Sequence, residues 1–417
     1  MQKARPRWRQ WIESWYLVYA LIGLVVAGLV PVLIPLLVSR SGNAGLVGLV
    51  VAAVSLGGLT SPLWGGLADR YRAHRGLLIG GMLCAGIGLA AFALTKSPVL
   101  WILLAILQGF GTASAATVAN LFVVEVYPRT EWDERIGWLQ TFYGLGQVGG
   151  LLLAGLLTRM DLSLGLLVAA ALSAAAAILG WLTTTTPKKP SDGEAVLIHP
   201  ARHTEGVFSS PQRLFHRPSL AGIKNARATL RSPFSLFLIV WLVAFAGPAA
   251  FFSQYPILMQ KLYAVVPAAS SIAFATIAGL GLTLYSPAGR WSEHFSGARI
   301  LRLSLGLRWL AFAGLLSLAF LRAGTGIGLL ALLAFGFVVW AWSLMSVSGT
   351  ALAARLSPLG EGQGMGLFNA TTAVAGVLGA VLGGWAAEAW GYRSILVLAL
   401  LGVSLGLGLS IFGNKTD

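Results

Sequence analysis

Twelve apolar runs, most of them about 20 residues long or more, constrain this 417-residue chain more than any other feature. A bilayer core holds no water, so the backbone groups of each run must bond within the run, and each is expected to form a membrane-spanning helix. The expected fold class is therefore an all-α polytopic membrane protein. The spans are expected at about 15–38, 44–67, 76–95, 98–121, 136–158, 162–183, 234–258, 266–289, 300–320, 325–352, 366–387 and 394–413.

The charge content excludes a water-soluble fold for a chain of this length. Only 10% of the residues are charged, compared with about 25% in soluble domains. The net charge of +15 could suggest nucleic acid, but the basic residues lie in short gaps between apolar runs. That distribution is typical of membrane orientation, so nucleic acid is not an expected partner.

One polar segment divides the spans six and six. We expect residues 1–183 to form an N-terminal six-helix bundle, 184–233 a cytoplasmic linker, and 234–417 a C-terminal six-helix bundle. Of the 29 Lys and Arg residues, 22 fall on one side of the membrane, six on the other, and Arg308 within a span. The excess of basic residues predicts that both termini are cytoplasmic and that the protein lies in the plasma (inner) membrane.

The two halves repeat each other in sequence. Residues 65–70 after span 2 and 289–294 after span 8 both read Gly-x-x-x-acid-base. A longer match at an offset of 229 pairs residues of span 5 with residues of span 11: Gly137 with Gly366, Gln140 with Asn369, Gly150 with Gly379 and Gly155 with Gly384. Repeated halves predict a substrate site at their interface near the midplane, reached alternately from either side.

With these residues the chain resembles the major facilitator superfamily. Residues 65–70 with Arg72 and Arg75 resemble its loop between spans 2 and 3, and Glu125, Pro128, Arg135 and Gly137 resemble its Glu-x-x-Pro and Arg-x-Gly cluster. Residues 146–155 resemble the glycine motif of its drug and small-molecule exporter subgroup, without that motif's proline. The resemblance implies a twelve-helix secondary transporter built as two pseudo-symmetric six-helix bundles. The gating residues it implies are Gly65, Asp69, Arg70, Arg72, Glu125, Arg129, Arg135, Gly289 and Glu293.

The resemblance also implies how those gating residues act. Asp69 is expected near Gly364–Gly366, where its carboxylate would meet the positive N-terminal end of span 11. By pseudo-symmetry, Glu293 is expected near Arg135 at the start of span 5. Such contacts would hold the cytoplasmic side shut and break when it opens. The alternative is that these charges are simply solvated loop residues.

The centres of the spans carry no acidic residue and no histidine. Intramembrane ionisable groups mark ion pathways or charged substrates, so a strongly cationic substrate or a midplane proton carrier is not expected. Arg308 is expected to extend its side chain toward the cytoplasmic face rather than to bind anything. Span 4 carries Ala105 where proton-coupled members of the family have arginine, so inherited proton coupling is not implied.

Aromatic and weakly polar residues are the candidates for the substrate site. Such a lining suits a neutral or amphipathic molecule, although Trp and Tyr also form belts at membrane interfaces. A kink is expected at Gly247–Pro248. The candidate substrate-binding residues are Tyr16, Tyr19, Gln108, Gln140, Tyr143, Gln147, Trp241, Phe252, Trp340 and Asn369.

These features predict a secondary active or facilitative transporter of a small, neutral or amphipathic organic molecule, working by alternating access with export favoured. A sugar or metabolite carrier, a lipid flippase, and a non-transporting receptor or scaffold are the alternatives. The sequence shows no phosphate-binding loop, zinc spacing or His-Asp pair, so neither an enzyme nor a cofactor is expected. The expected partners are the substrate, the lipid bilayer and, if transport is coupled, a proton or other ion. The chain is expected to be a monomer.

Overall fold

The computed structural model describes residues 12–71, 73–126, 132–184, 232–284, 287–288, 291, 294–321, 325–357 and 361–412. Within these ranges the chain forms fourteen main helices and no strand. The N-terminal half contains α1 Tyr16–Ser39, α2 Ala44–Leu59, α3 Ser61–Tyr71, α4 His74–Leu94, α5 Pro98–Val126, α6 Trp132–Leu157 and α7 Leu162–Thr183. The C-terminal half contains α8 Pro233–Ser253, α9 Tyr255–Tyr263, α10 Pro267–Leu282, α11 Gly297–Leu318, α12 Thr325–Leu356, α13 Glu361–Trp390 and α14 Arg393–Phe412.

The fourteen helices correspond to the twelve expected spans because spans 2 and 7 are each broken once. In the described part of the chain, nine helices are long and apolar enough to cross a membrane, and Ala44–Leu59 is a shorter apolar helix. We call the end of the bundle where α1 begins and α14 ends the terminal face, and the opposite end the distal face. The all-α polytopic fold expected from the apolar runs is confirmed.

Both breaks occur where a proline starts the following helix. Span 2 breaks at Thr60, and Pro62 occupies the first turn of α3. Span 7 breaks at Gln254, and Pro256 occupies the first turn of α9. Proline has no N–H to donate backward, so it is tolerated in a first turn. Helix α8 continues through Pro248 as far as Ser253, so the kink expected at Gly247–Pro248 stays a prediction.

Each half buries a hydrophobic core of its own. Leu33, Leu89 and Phe92 belong to a core of the N-terminal half. The C-terminal core is largely aromatic, with the rings of Tyr255 and Phe335 stacked 4.3 Å apart. Residues 185–231, which include most of the expected linker, lie outside the described residues, so the domain boundaries stay a prediction.

The matched glycines show that the repeat governs helix packing within each half. A side chain at Gly150 of α6 would collide with the backbone of Leu24 and Gly28 in α1. Its counterpart Gly379 of α13 faces the backbone of Ala246 in α8 in the same way. Glycines of this kind let helix backbones approach closely in a bilayer. Spans 5 and 11 therefore pack on spans 1 and 7 through equivalent positions.

A second matched glycine pair, Gly155 and Gly384, allows helices from opposite halves to approach closely. Gly155 of α6 faces Ala268 and Ile272 of α10, and Gly384 of α13 faces Ala44 and Gly48 of α2. Gly137 and Gly366, the remaining pair, both have open space where a side chain would start. All three glycine pairs thus occupy equivalent surroundings, as two bundles related by a pseudo-two-fold axis require.

Candidate functional site

A cavity of about 230 Å³ lies between the two halves. Its walls come from α1, α6, the junction of α8 and α9, and α10, so both halves contribute. The side chains around it are apolar or aromatic except for the amide of Gln147 and the hydroxyl of Tyr255, which donates to the Ser270 carbonyl at 2.9 Å. The lining residues are Ala27, Pro31, Val32, Gln147, Phe252, Tyr255 and Phe274.

The wall contributed by α1 has an unusual backbone. Residues Leu24–Leu29 wind as a π-helix, and Pro31 follows directly after it. Single π-helical turns inside α-helices occur frequently at functional sites. Pro31 has no N–H, so a carbonyl oxygen of the preceding turn lacks its helical donor. This part of the cavity wall therefore combines a π-helical turn with the apolar side chains of Ala27, Pro31 and Val32.

On the N-terminal side, three hydrogen-bonded residues and one ring that packs against them form a group that we call the tyrosine–amide cluster: Tyr19, Asn120 and Gln140, with Tyr143. Asn120 donates through Nδ2 to the Tyr19 hydroxyl at 3.2 Å, and its Oδ1 accepts from Gln140 Nε2 at 3.3 Å. The rings of Tyr19 and Tyr143 lie 5.1 Å apart. Three spans thus present amide and phenol groups together, including the expected residues Tyr19, Gln140 and Tyr143.

On the C-terminal side, five residues from three spans form what we call the aromatic cluster: Phe237, Trp241, Phe245, Trp342 and Phe368. The rings of Trp241 and Phe368 lie 4.5 Å apart, and those of Phe245 and Trp342 lie 5.3 Å apart. The indole N–H of Trp241 donates to Thr372 Oγ1 at 2.8 Å. Trp241 was expected from the sequence, whereas its ring partners Phe237, Phe245 and Phe368 were not.

The other expected substrate residues lie in several places. Gln147 and Phe252 line the cavity. Gln108 is buried against Gly88 of α4, and neither end of its amide has a hydrogen-bond partner among the described residues. The indole of Trp340 donates to the Ile277 carbonyl of α10 at 3.2 Å. Tyr16 is buried beside Arg135, while Asn369 is exposed near the start of α13.

The described gating residues form local contacts at the terminal face. Gly65 of α3 packs against Thr117 and Leu121 of α5. Arg70 is exposed, with its guanidinium 5.4 Å from the centre of the Tyr71 ring. Arg135 is buried and forms an ion pair with Glu13 at 3.7 Å. The side chains of Asp69 and Glu125 lie outside the described residues, as do Arg72, Arg129, Gly289 and Glu293.

The two halves contact each other at the distal face in a way that was not predicted from the sequence. Glu388, near the end of α13, accepts from the backbone N–H of Ala44 at 2.7 Å, at the first residue of α2. Gln254, at the break in span 7, donates to the Ala44 carbonyl at 3.1 Å. Burial and the nearby Glu388 carboxylate raise the pKa of Tyr392 in the adjoining connection. The sequence repeat gave a reason to expect such a contact, because equivalent helices of the two halves that meet at one end of the bundle can also meet at the other end.

Arg308 corrects one expectation outright. It was expected to extend toward the terminal face, yet it is 1% exposed and lies in the interior of the C-terminal half. Its guanidinium lies 5.8 Å from the Trp342 ring, and its NH1 group contacts the Met345 sulfur at 3.7 Å. The expectation was wrong because the hydropathy of a helix does not reveal which neighbour covers each of its faces.

Within the described part of the chain, no group of three or more His, Cys, Asp or Glu side chains could hold a metal ion. The cavity lining is apolar or aromatic apart from one amide and one hydroxyl, and the tyrosine–amide and aromatic clusters lie outside that lining. Such an arrangement can bind a small molecule and fix its orientation.

Comparison with known proteins gives a consistent result. A family model described as Major Facilitator Superfamily matches residues 15–347. The tetracycline resistance protein, class C, of Escherichia coli is 33% identical over 162 residues, which is 38% of this chain and 40% of that protein. An Arabidopsis thaliana protein named "Probable anion transporter 4, chloroplastic" is 27% identical over 205 residues, covering 47% of this chain and 35% of that protein.

The matches to these two relatives therefore span well under half of each relative's own length. Among solved structures, a mutant of the nucleoside transporter NupG superposes with a TM-score of 0.73 at 14% identity. That match covers 96% of this chain and 99% of the other. At such low identity the structural likeness shows the fold alone.

Proposed function

Starting from the premise that this chain belongs to the major facilitator superfamily, and is a transporter of small molecules rather than an enzyme, we propose that it exports a small amphipathic organic molecule by alternating access. The proposed binding site is the cavity of about 230 Å³ between the halves, together with the tyrosine–amide and aromatic clusters. The polar cluster would orient the hydrogen-bonding part of the substrate, and the aromatic cluster would hold its apolar part.

The single observation that carries this proposal is the position of the cavity between two bundles that meet through repeated glycines. Gly155 and Gly384 bring α6 onto α10 and α13 onto α2, and Glu388 ties the distal ends of α13 and α2 together. These contacts join the two halves on the distal side of the cavity. Breaking them while closing the terminal side would present the same cavity to the other side of the membrane.

Export is favoured by the glycine motif at residues 146–155 and by the resemblance to a relative named for tetracycline resistance. The second relative is named an anion transporter, so a metabolite carrier remains the second candidate, and the apolar cavity keeps a lipid flippase as a third. A receptor or scaffold on the same fold would bind a ligand without saturable flux.

We also propose a plasma-membrane location, coupling sites near the helix ends and a monomeric state for the transporter. The 22-to-6 split of basic residues supports cytoplasmic termini and a plasma-membrane location. Because no carboxylate lies at the centre of a span, a coupling proton would bind near the helix ends, at Glu13, Asp69 or Glu125. Each chain holds a complete cavity, which is consistent with a working monomer.

The test is transport by the purified protein in proteoliposomes. A panel of neutral, cationic, anionic and zwitterionic aromatic solutes is assayed with and without a pH gradient. We expect saturable flux of at least one solute, reduced by Gln147→Leu because the substitution removes the cavity's amide. Gln260→Leu is the matched control, since Gln260 is exposed on α9. Binding without flux, or flux that both variants leave unchanged, would contradict the proposal.

A further inference from the structure

Arg308 is a charged residue buried deep in the C-terminal half. It is 1% exposed and lies near the middle of α11. Among the described residues, its Nε is buried without a hydrogen-bond partner, and NH1 has only the sulfur of Met345 at 3.7 Å. The flat face of the guanidinium has the Trp342 ring at 5.8 Å. The soft sulfur and ring contacts do not neutralise a full positive charge.

The apolar runs of the C-terminal half supply no carboxylate near their centres. This half has four acidic residues, and in the sequence all of them stand at the ends of the apolar runs or outside them: Glu293, Glu361, Glu388 and Asp417. Arg308 follows the first residue of α11, Gly297, by eleven positions, which places it about 16 Å along the helix. Glu388 is engaged at the distal face with Ala44. No acidic residue of this half therefore lies near the middle of a span.

An unneutralised charge at this depth is expensive. A charged side chain near the centre of a membrane helix costs several kcal/mol, and such residues mark substrate or ion pathways. Replacing a buried charge by an apolar residue of similar volume is often neutral or stabilising. The observed arginine is therefore hard to explain as a structural element.

Trp342 connects Arg308 to the proposed site. Its ring lies 5.8 Å from the Arg308 guanidinium, 5.3 Å from the Phe245 ring and 6.2 Å from the Trp241 ring. Trp342 and Phe245 are half-buried rather than fully enclosed. A ligand lying on the aromatic cluster is thus separated from the guanidinium by one side chain.

We propose that Arg308 is the counter-charge for an acidic group on the transported molecule, so that the substrate class is amphipathic organic anions. This inference rests on the proposed function and narrows it. The apolar body of the substrate packs on Phe245 and Trp342, and its carboxylate accepts from the free donors of Arg308 after Trp342 turns aside. Arginine suits this task because its planar fork binds a carboxylate through two parallel hydrogen bonds and stacks on aromatic rings.

The test compares three probes of one shape and different charge: naphthoate, naphthamide and naphthylmethylammonium. Binding to the purified protein in nanodiscs is measured by calorimetry, and flux is measured in proteoliposomes. We expect the wild-type protein to prefer naphthoate over naphthamide. Arg308→Gln should remove that preference by weakening naphthoate binding about tenfold to a hundredfold, the value of a charge-assisted hydrogen bond. Arg308→Lys should retain part of it.

Two controls separate this role from a structural one. Arg302→Gln removes the same charge from the same helix at a residue whose Nε bonds the Ala298 carbonyl at 3.3 Å, and it should leave the preference unchanged. Arg308→Gln should not lower the melting temperature, since it removes an unneutralised buried charge. A large fall in melting temperature with the naphthoate preference intact would overturn the proposal.

The outcomes also separate this inference from the proposed function. If naphthamide or naphthylmethylammonium is transported and naphthoate is not bound, the inference fails while the transporter proposal stands. If naphthoate is bound through Arg308 but no probe is transported, the inference stands and the transporter proposal fails for these probes. If no probe is bound in an Arg308-dependent way, the inference is overturned.

Discussion

The two halves of the molecule share their backbone packing but differ in the side chains that they present at the centre. The matched glycines Gly150 and Gly379 bring each interface helix onto the first helix of its own half. Above this common frame, the N-terminal half places Tyr19, Asn120 and Gln140 in a hydrogen-bonded group. The C-terminal half instead packs the rings of Trp241 and Phe368 4.5 Å apart, with the buried Arg308 close to Trp342 of the same cluster.

This contrast shows that helix packing and substrate recognition place different requirements on the two halves. Rocking of two bundles needs matched helix contacts, because both ends of the cavity must close by similar movements. Recognition of an asymmetric molecule needs the opposite, since a substrate with one polar and one apolar end binds two unlike walls in one orientation. Substitutions in the matched helix contacts, which we call the shared frame, should therefore have effects separable from substitutions in the two unlike clusters.

The largest effect is expected from filling the shared frame. Gly150→Val and Gly379→Val would each push two helix backbones apart, and overpacking costs about 1–3 kcal/mol. We expect both variants to lose folded protein and transport to a similar degree, as measured by melting temperature and flux. Gly137→Ala and Gly366→Ala are the matched controls, because both positions have open space. Tolerance of one valine variant but not the other would break the equivalence of the halves.

A smaller effect is expected at the distal contact between the halves. Glu388→Gln weakens a charge-assisted hydrogen bond to Ala44, worth about 1.5–3 kcal/mol. The population open at the distal face should rise about tenfold or more. The reporter is Ser55→Cys in a Cys84→Ser background, because Ser55 of α2 faces Gly376 of α13 across the contact between the halves, and its maleimide labelling should become faster. Asp161→Asn is the control, since Asp161 is exposed and pairs at 3.7 Å with Arg40 of its own half. Equal labelling in both variants would show that Glu388 does not hold the distal side shut.

The two walls can be compared by removing one hydrogen bond from each. Asn120→Ala deletes the bridge between Tyr19 and Gln140, and Thr372→Val deletes the acceptor for Trp241. Each bond contributes about 0.5–1.5 kcal/mol, so changes of several-fold in KM are expected. Asn120→Ala should reduce discrimination between a substrate and an analogue without its polar group, whereas Thr372→Val should not. The reverse pattern would show that the walls have been assigned the wrong roles.

The smallest effect is expected at the terminal face. Glu13 is 40% exposed, so its ion pair with Arg135 at 3.7 Å should contribute less than about 1 kcal/mol. Glu13→Gln should change the melting temperature little and leave the pH profile of flux unchanged. If the variant instead abolished the dependence of flux on a pH gradient, Glu13 would be a coupling residue and the N-terminal half would have a role that its counterpart lacks.

The fold could be predicted from the sequence because its signals are local. An apolar run of span length requires a helix in a bilayer, and the offset of 229 identified glycines that do prove equivalent in packing. The breaks at Thr60 and Gln254 were missed, since a proline inside an apolar run can either continue a helix, as Pro248 does, or begin a new one, as Pro256 does.

The site could be predicted only in part, because its contacts join residues far apart in the chain. Gln140 and Tyr19 were expected individually, but their connection through Asn120 depends on the packing of three spans. The burial of Arg308 depends on Trp342 and Met345 of a neighbouring helix. The contact of Glu388 with Ala44 crosses between the halves, and hydropathy carries no information about such a pairing.

Because of the π-helical stretch Leu24–Leu29, the backbone of the cavity wall depends on the number of residues in α1. A π turn amounts to one residue inserted into an α-helix, and each residue advances a helix by about 100°. The two ends of α1 are therefore rotated out of phase, with Tyr19 directed at the tyrosine–amide cluster and Pro31 at the cavity. Deleting one residue from this stretch would convert the π turn into a regular α turn, so the composition and length of the span would stay almost unchanged while the widened turn would be lost from the cavity wall.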